Sequence, residues 1–351
     1  MIKVLIVEDS PVMQELLAYT IESDPAFSIV GIAADGEEAI EYAAKKKPDV
    51  IAMDCYMPKL DGQKATRKIM ETTPVPIVIV TSSITANDVA ISFSLIEAGA
   101  LAIVKKPTGI GHPDYKKEAR ELLRTLKLMS EVKVVRRVNH TKKTISNIQP
   151  VIDNTTVKEQ VIKLIAIGAS TGGPMILQKI LTGLPKNVSV PILIVQHISP
   201  GFTEGFVKWL GNTTQQRIHI ASDGEHILPG HIYFAPDNYH MGVDRQFKII
   251  LSNDPPINGL RPSVAFLFRT VANLFGLSAI GILLTGMGRD GAEELKLMRE
   301  KGSITIAQNK ASAVVFGMPG EAVKLGAATH VLSPEGIISV LTSLINKKNG
   351  G

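Results

Sequence analysis

The sequence predicts an α/β protein with two doubly wound, mostly parallel-sheet domains, the second carrying an antiparallel edge hairpin. Three observations carry this. Short β-branched apolar runs alternate with helical periodicity along most of the chain. A polar, basic stretch over 123–162 interrupts the alternation once. Polar, chemistry-bearing residues recur just past the apolar runs, at the strand ends where open parallel sheets place their sites. A length of 351 residues suits two domains, each able to bury its own core.

In the first half, residues 4–7 read as a strand and 11–23 as a helix with its apolar face at Val12, Leu16, Leu17 and Ile21. A strand at 29–33, a charged helix at 37–46, strands at 49–54, 75–80 and 100–104, and a helix at 116–128 complete five βα repeats. The strand ends carry Glu8-Asp9, Asp54, Thr81-Ser82 and Lys105-Lys106-Pro107. Three carboxylates on adjacent strand ends repel one another unless a hard cation lies between them. Mg²⁺ takes one or two carboxylates plus phosphate oxygens and water. A lysine nearby pairs with an anion on Asp54, and a threonine hydroxyl hydrogen-bonds a phosphoryl oxygen.

The stretch 123–162 reads as a basic, flexible tether with little local structure. Charge is uneven along the chain: −4 over 1–125, +5 over 126–163 and +4 over 164–351. A basic connector of this kind is more often solvated than bound to nucleic acid, so no nucleic-acid partner is expected. The single cysteine, Cys55, excludes an intramolecular disulfide and a thiolate zinc cluster. With no secretory segment and no apolar run approaching 18 residues, the expectation is a cytoplasmic protein without membrane insertion.

In the second half, 164–168, 190–196, 279–284 and 303–307 read as strands, and 174–181, 202–210, 263–275, 292–300, 320–325 and 334–345 as helices. Short strands at 218–221, 232–235 and 247–251, punctuated by Pro229-Gly230 and Asp237-Asn238, suggest the antiparallel hairpin. The first strand ends in Gly168-Ala169-Ser170-Thr171-Gly172, then Gly173-Pro174 opens a helix. A serine on such a turn projects from the sheet edge beside unpaired helix N–H groups. Glycine-rich turns of this kind also bind phosphates without chemistry. Ser170, His197 and Asp290 each follow a strand of one sheet, so they can meet at its carboxyl edge. They are the three residue types a serine nucleophile needs: hydroxyl, imidazole base and orienting carboxylate. The turn Thr285–Gly291 offers backbone N–H groups to an oxyanion. His197 can also be a core histidine, and Asp290 can cap the helix that follows it. A metal set of His226, His231 and His240 matches no familiar zinc spacing.

Residues 1–122 resemble a response-regulator receiver domain through Val-Glu8-Asp9-Ser, Asp54-Cys-Tyr-Met-Pro58 with Asp61-Gly62, Val-Thr81-Ser and Lys106-Pro107. The resemblance implies that Asp54 accepts a phosphoryl group from a sensor histidine kinase of the CheA type. It implies Mg²⁺ on Glu8, Asp9, Asp54 and the Tyr56 carbonyl, with Thr81 and Lys106 sensing the phosphoryl group. Ile103 stands where receivers often carry an aromatic switch residue.

Residues 163–347 resemble the catalytic domain of the CheB family of chemotaxis protein-glutamate methylesterases, a Rossmann-like α/β domain. The motifs are Ala-Ile-Gly-Ala-Ser170-Thr-Gly-Gly-Pro, Val-Gln-His197-Ile, Pro-Gly-His-Ile-Tyr-Phe-Ala-Pro236, Arg261-Pro-Ser-Val, Leu-Leu-Thr-Gly-Met287-Gly-Arg-Asp290-Gly-Ala and Val-Val-Phe-Gly-Met-Pro319, in family order. The resemblance implies Ser170 as nucleophile, His197 as base and Asp290 as its orienting group, with Met287 and Thr171 in the active-site turns that face the oxyanion. The implied substrates are glutamate γ-methyl esters on methyl-accepting chemotaxis receptors, with methanol released. Some relatives also hydrolyse receptor glutamines. No cofactor is expected in this domain. Ala265, Gln308-Asn309-Lys310 and Thr203-Glu204-Gly205 depart from the family pattern, all off the triad. An alternative of another class is a non-catalytic, receiver-controlled binding module. A DNA-binding regulator is disfavoured by the α/β pattern of the second half.

Overall fold

In the computed structural model, which describes residues 1–82, 86–134, 161–186 and 188–346, the chain divides into two compact units, Met1–Ile145 and Ser146–Gly351. The first alternates β1 (Ile2–Val7), α1 (Pro11–Glu22), β2 (Phe27–Ala33), α2 (Gly36–Lys46), β3 (Val50–Met53), α3 (Gly62–Thr72), β4 (Ile77–Thr81), α4 (Ala86–Ala98), β5 (Ala102–Lys105) and α5 (Tyr115–Ser130). Its five strands are parallel in the order β2-β1-β3-β4-β5. β1 and β3 are buried along most of their length and read as continuous apolar runs, because helices cover both faces. Chain direction across the sheet reverses at β1 and β3, so a crevice opens between Glu8-Asp9 and Asp54. Local chemistry fixes the helices that flank it. Asp35 caps α2 by accepting Glu37 and Glu38 N–H at 2.9 and 3.0 Å, and Asp61 caps α3 through Lys64 N–H at 2.8 Å.

α5 matches the helix expected over 116–128 and continues to Ser130, past the domain boundary expected at 122, because Leu126 and Met129 continue the apolar face and are fully buried. The expected tether is therefore helical at its start. Most of its remainder, 135–160, lies outside the described residues.

The second unit contains β6 (Leu164–Ala169), α6 (Gly173–Gly183), β7 (Ile192–Gln196), α7 (Thr203–Thr214), β8 (Arg217–Ile220), β9 (His231–Phe234), β10 (His240–Val243), β11 (Ile249–Ser252), α8 (Val264–Phe275), β12 (Ala279–Leu283), α9 (Ala292–Glu300), β13 (Ile304–Gln308), α10 (Met318–Lys324), β14 (His330–Leu332) and α11 (Pro334–Asn346). Seven strands form one parallel sheet in the order β14-β13-β12-β6-β7-β9-β8. The three strands that precede Ser170, His197 and Asp290 are thus contiguous: β12, β6 and β7.

The antiparallel edge hairpin expected from 218–251 is not an edge of this sheet. β8 and β9 pair in parallel, and the chain between them is a crossover that ends at Pro229-Gly230 rather than a hairpin turn. The hairpin is β10–β11, a separate two-stranded sheet. Its turn is set by Asp244, whose carboxylate accepts Gln246 and Lys248 N–H at 2.8 and 2.9 Å. Met241, Val243 and Ile249 pack in one apolar cluster with Val264, Phe268 and Val271, so the hairpin braces α8. Among the described residues, no helix is long and apolar enough to cross a membrane.

Candidate active site

Ser170 leaves β6 on a turn that enters α6 through Gly172, Gly173 and Pro174. Its N–H donates to Thr285 O at 3.0 Å, which holds the turn against the segment after β12. Gly286 makes that approach possible: a Cβ there would lie 2.7 Å from Ser170 Cβ and 2.4 Å from Met318 Sδ. Thr285, fully buried, is the knot of this edge. Its N–H donates to Gln308 Oε1 (2.8 Å), its hydroxyl lies 2.9 Å from Thr171 O, and the same hydroxyl accepts Val315 N–H at 2.9 Å. Thr171 and Met287 are half-buried in the two turns that flank Ser170.

His197 follows β7, with 10 % of its side chain exposed. Its Nε2 lies 2.9 Å from Asp290 Oδ2. Asp290 is buried at the N-terminus of α8, where Val264 N–H reaches Oδ2 (2.7 Å) and Ser263 hydroxyl and Ala265 N–H reach Oδ1 (2.8 and 3.2 Å). Burial alone raises the pKa of Asp290, but His197, Ser263 and the Val264 amide more than offset it, and the carboxyl lies below its ordinary value. An ionised Asp290 only accepts, so a neutral His197 carries its proton on Nε2, toward Asp290. Asp290 thus caps α8, not the helix that follows it in sequence. The structure brings His197 and Asp290 into hydrogen bond. Among the described residues no hydrogen bond joins Ser170 Oγ to the His197 ring; such bonds commonly close only on substrate binding.

The loop after His197 is pinned by Asp237, which accepts Gly201 N–H at 2.7 Å and the Thr203 hydroxyl. Of the other histidines, His231 pairs with His219 at 2.8 Å, and buried His240 stacks on Phe266. The set His226, His231 and His240 does not converge on a metal geometry among the described residues.

In the first unit, Glu8, Asp9 and Asp54 offer carboxylate oxygens within 4.8 Å of one another. Lys106 Nζ bridges Glu8 Oε2 (2.7 Å) and Asp54 Oδ2 (2.9 Å). Adjacent Lys105 instead pairs with Glu118 on α5 at 2.9 Å, so the two lysines serve different partners. Glu8 and Asp54 are both raised in pKa, first by burial and then by carboxylate repulsion, from Asp54 on Glu8 and from Asp9 on Asp54. Burial works against the Lys106 charge, but Glu8 and Asp54 hold its pKa above the ordinary value. One ammonium against three oxygen-only donors leaves negative charge unbalanced, a donor set that fits Mg²⁺. Thr81 ends β4 fully buried, with Lys106 N–H donating to its carbonyl at 2.8 Å, and Tyr56 is exposed on the turn after Asp54. Cys55 is buried, and burial pushes its thiol pKa to about 11, which removes a thiolate role.

Sequence reasoning missed Thr285 as a knot, Ser263 and Asp237 as anchors, and Gln308. One signal was present: both β7 and β13 are apolar runs that end in a buried glutamine, Gln196 and Gln308.

The family model for CheB methylesterase matches residues 165–341, and that for the response regulator receiver domain matches 4–112. A protein-glutamate methylesterase/protein-glutamine glutaminase of Nitrosospira multiformis is 51 % identical over 99 % of this chain and 98 % of its own. A relative of the same description from Geobacter metallireducens is 50 % identical over 99 % of this chain and all of its own. The crystal structure of the Thermotoga maritima CheB methylesterase catalytic domain aligns with a TM-score of 0.51 at 38 % identity, covering 52 % of this chain and 99 % of that one. With its parallel sheets, its serine turn at a sheet edge and these relatives, the chain belongs to the CheB methylesterase family and carries a response regulator receiver domain at 4–112.

Proposed function

We propose that this protein hydrolyses glutamate γ-methyl esters on methyl-accepting chemotaxis receptors, with Ser170 as nucleophile, under control of phosphorylation at Asp54. The single observation that carries the chemistry is the His197–Asp290 hydrogen bond at 2.9 Å, on the strand end next to the Ser170 turn. The relatives' names supply the substrate class, including the glutamine reaction.

In the proposed reaction, Ser170 Oγ attacks the γ-carbonyl carbon while His197 Nδ1 takes the hydroxyl proton. Asp290 keeps the tautomer and stabilises the imidazolium that forms. Backbone N–H groups of the turns at Thr171 and Met287 face the tetrahedral oxyanion. The C–O bond to the leaving group breaks, His197 returns the proton, and methanol departs. Water then attacks the acyl-serine, deprotonated by the same imidazole, and releases the glutamate carboxyl. With glutamine the leaving group is ammonia. No residue of this route calls for a metal or cofactor.

In the receiver, Glu8, Asp9, Asp54 and the Tyr56 carbonyl would hold Mg²⁺, which supplies charge neutralisation during phosphoryl transfer. Asp54 takes the phosphoryl group from a histidine kinase of the CheA type, and Lys106 and Thr81 respond to it. Residues 1–122 form the receiver, with α5 extending it to 130, and 163–347 the esterase domain, joined by the basic tether. The site of action is cytoplasmic, without membrane insertion or nucleic acid.

Methanol release from methylated receptor membranes tests the reading. Release that is lost with Ser170→Ala and stimulated by a phosphodonor in wild type but not in Asp54→Asn supports it. Undiminished release by Ser170→Ala removes the nucleophile. No release by wild type leaves a binding module.

A further inference from the structure

The last rung of the β6–β7 ladder pairs Ala169 with Gln196, and His197 N–H donates to Ala169 O at 2.9 Å. Beyond it the strands part, one carrying Ser170 into α6 and the other carrying His197 into the loop before α7. No backbone rung joins the chain there among the described residues. The Gln196 side chain spans the gap. Its Nε2 donates to Ser170 O (2.9 Å) and to His197 O (2.7 Å), using both amide protons. The residue is 6 % exposed.

The amide has one orientation that works. Flipped, its oxygen would face two carbonyl oxygens. As it stands, Oε1 is buried without a hydrogen-bond partner and lies over Gly173, where a Cβ would come within 2.1 Å. Methionine would fill this space without burying a lone acceptor. The cost of that acceptor is offset by what the two donors hold.

We propose that Gln196 is a positioning residue for the hydrolysis: its amide ties the backbones of Ser170 and His197 together and so sets the distance between nucleophile and base. This rests on the reading of Ser170 and His197 given above. Misplacement of reacting groups by about 1 Å costs on the order of 10²-fold in rate, so a tether at this point acts on turnover rather than on binding.

The test uses the full-length protein with Gln196→Met, of similar length but without donors, and the near-isosteric Gln196→Glu. Gln196→Met should lower kcat about 10- to 100-fold with KM within about twofold. The rate at which a fluorophosphonate labels Ser170 should fall by the same factor. In a His197→Ala background the Gln196→Met penalty should shrink to about twofold or less, since no base remains to be misplaced. Gln196→Glu should recover relative to Gln196→Met as pH falls, because only a protonated carboxyl can donate to a carbonyl. A kcat within about twofold of wild type for both variants, or an undiminished penalty in the His197→Ala background, would reduce Gln196 to packing. Full activity of Ser170→Ala would instead overturn the nucleophile assignment, whatever Gln196 does.

Discussion

A single carboxylate, Asp290, holds both the His197 ring and the first turn of α8: its Oδ2 lies 2.9 Å from His197 Nε2 and 2.7 Å from Val264 N–H. The orientation of the His197 ring is thereby tied to a helix packed into the core through Val264, Leu267, Phe268 and Val271. The β10–β11 hairpin contributes Met241, Val243 and Ile249 to the same core, so it supports the helix that Asp290 caps.

Asp290→Asn should therefore fail twice. An amide cannot accept from every donor that now converges on the carboxylate, and it does not favour the imidazolium. Turnover should fall about 10³- to 10⁴-fold. Unfolding free energy should fall by about 1–3 kcal/mol, the range for a buried group losing its partner. Steady-state hydrolysis and denaturant unfolding measure the two separately.

The same carboxylate gives a pH signature. Its pKa in the folded protein is depressed below the ordinary 3.8, so its contribution is fully present above that value and is lost as pH falls through the lower, folded value. The stability difference between wild type and Asp290→Asn should shrink as pH falls below about 4, where the carboxylate takes up its proton. Urea midpoints of both proteins across this range test it. A difference that stays constant or grows as pH falls below about 4 would contradict the assignment.

The Thr285 hydroxyl joins the backbones at Thr171 and Val315, and its N–H donates to the Gln308 side chain. Thr285→Val keeps the shape and removes the hydroxyl. It should cost about 1–3 kcal/mol of stability and lower kcat, whereas Thr285→Ser should retain most of both. Thermal unfolding with parallel assays distinguishes the two variants.

In the receiver, the raised pKa values of Glu8 and Asp54 mean that folding takes up protons there, so without a cation stability falls as pH rises through them. Asp54→Asn relieves this crowding. In the presence of a chelator it should melt at or above the wild-type temperature. Mg²⁺ should raise the wild-type melting temperature and leave Asp54→Asn nearly unchanged. Scanning calorimetry with and without Mg²⁺ checks this, and an acyl-phosphate donor should add a phosphoryl mass to wild type only.

Much of this architecture was legible because buried parallel strands write themselves as short β-branched runs. Leu164–Ala169 and Ala279–Leu283 could hardly be anything else, and sites at parallel strand ends follow from the fold. The β8–β9 pairing was not legible, because Pro229-Gly230 ends a crossover as readily as it turns a hairpin. β10 was overlooked because His240-Met-Gly-Val243 has little β-branching; its pairing with β11 is fixed by the Asp244 turn. At the site, Ser170, His197 and Asp290 stood out by residue type. The residues that hold them did not. Thr285, Gln308 and Ser263 are ordinary polar residues whose roles depend on which loops meet, and that is a property of the sheet order.

The most direct measurement is the mapping of a fluorophosphonate adduct by tandem mass spectrometry on the phosphorylated full-length protein. One adduct is expected, on Ser170, formed in wild type and strongly slowed by His197→Ala. An adduct on another serine, or labelling of Ser170 at an unchanged rate without His197, would contradict it.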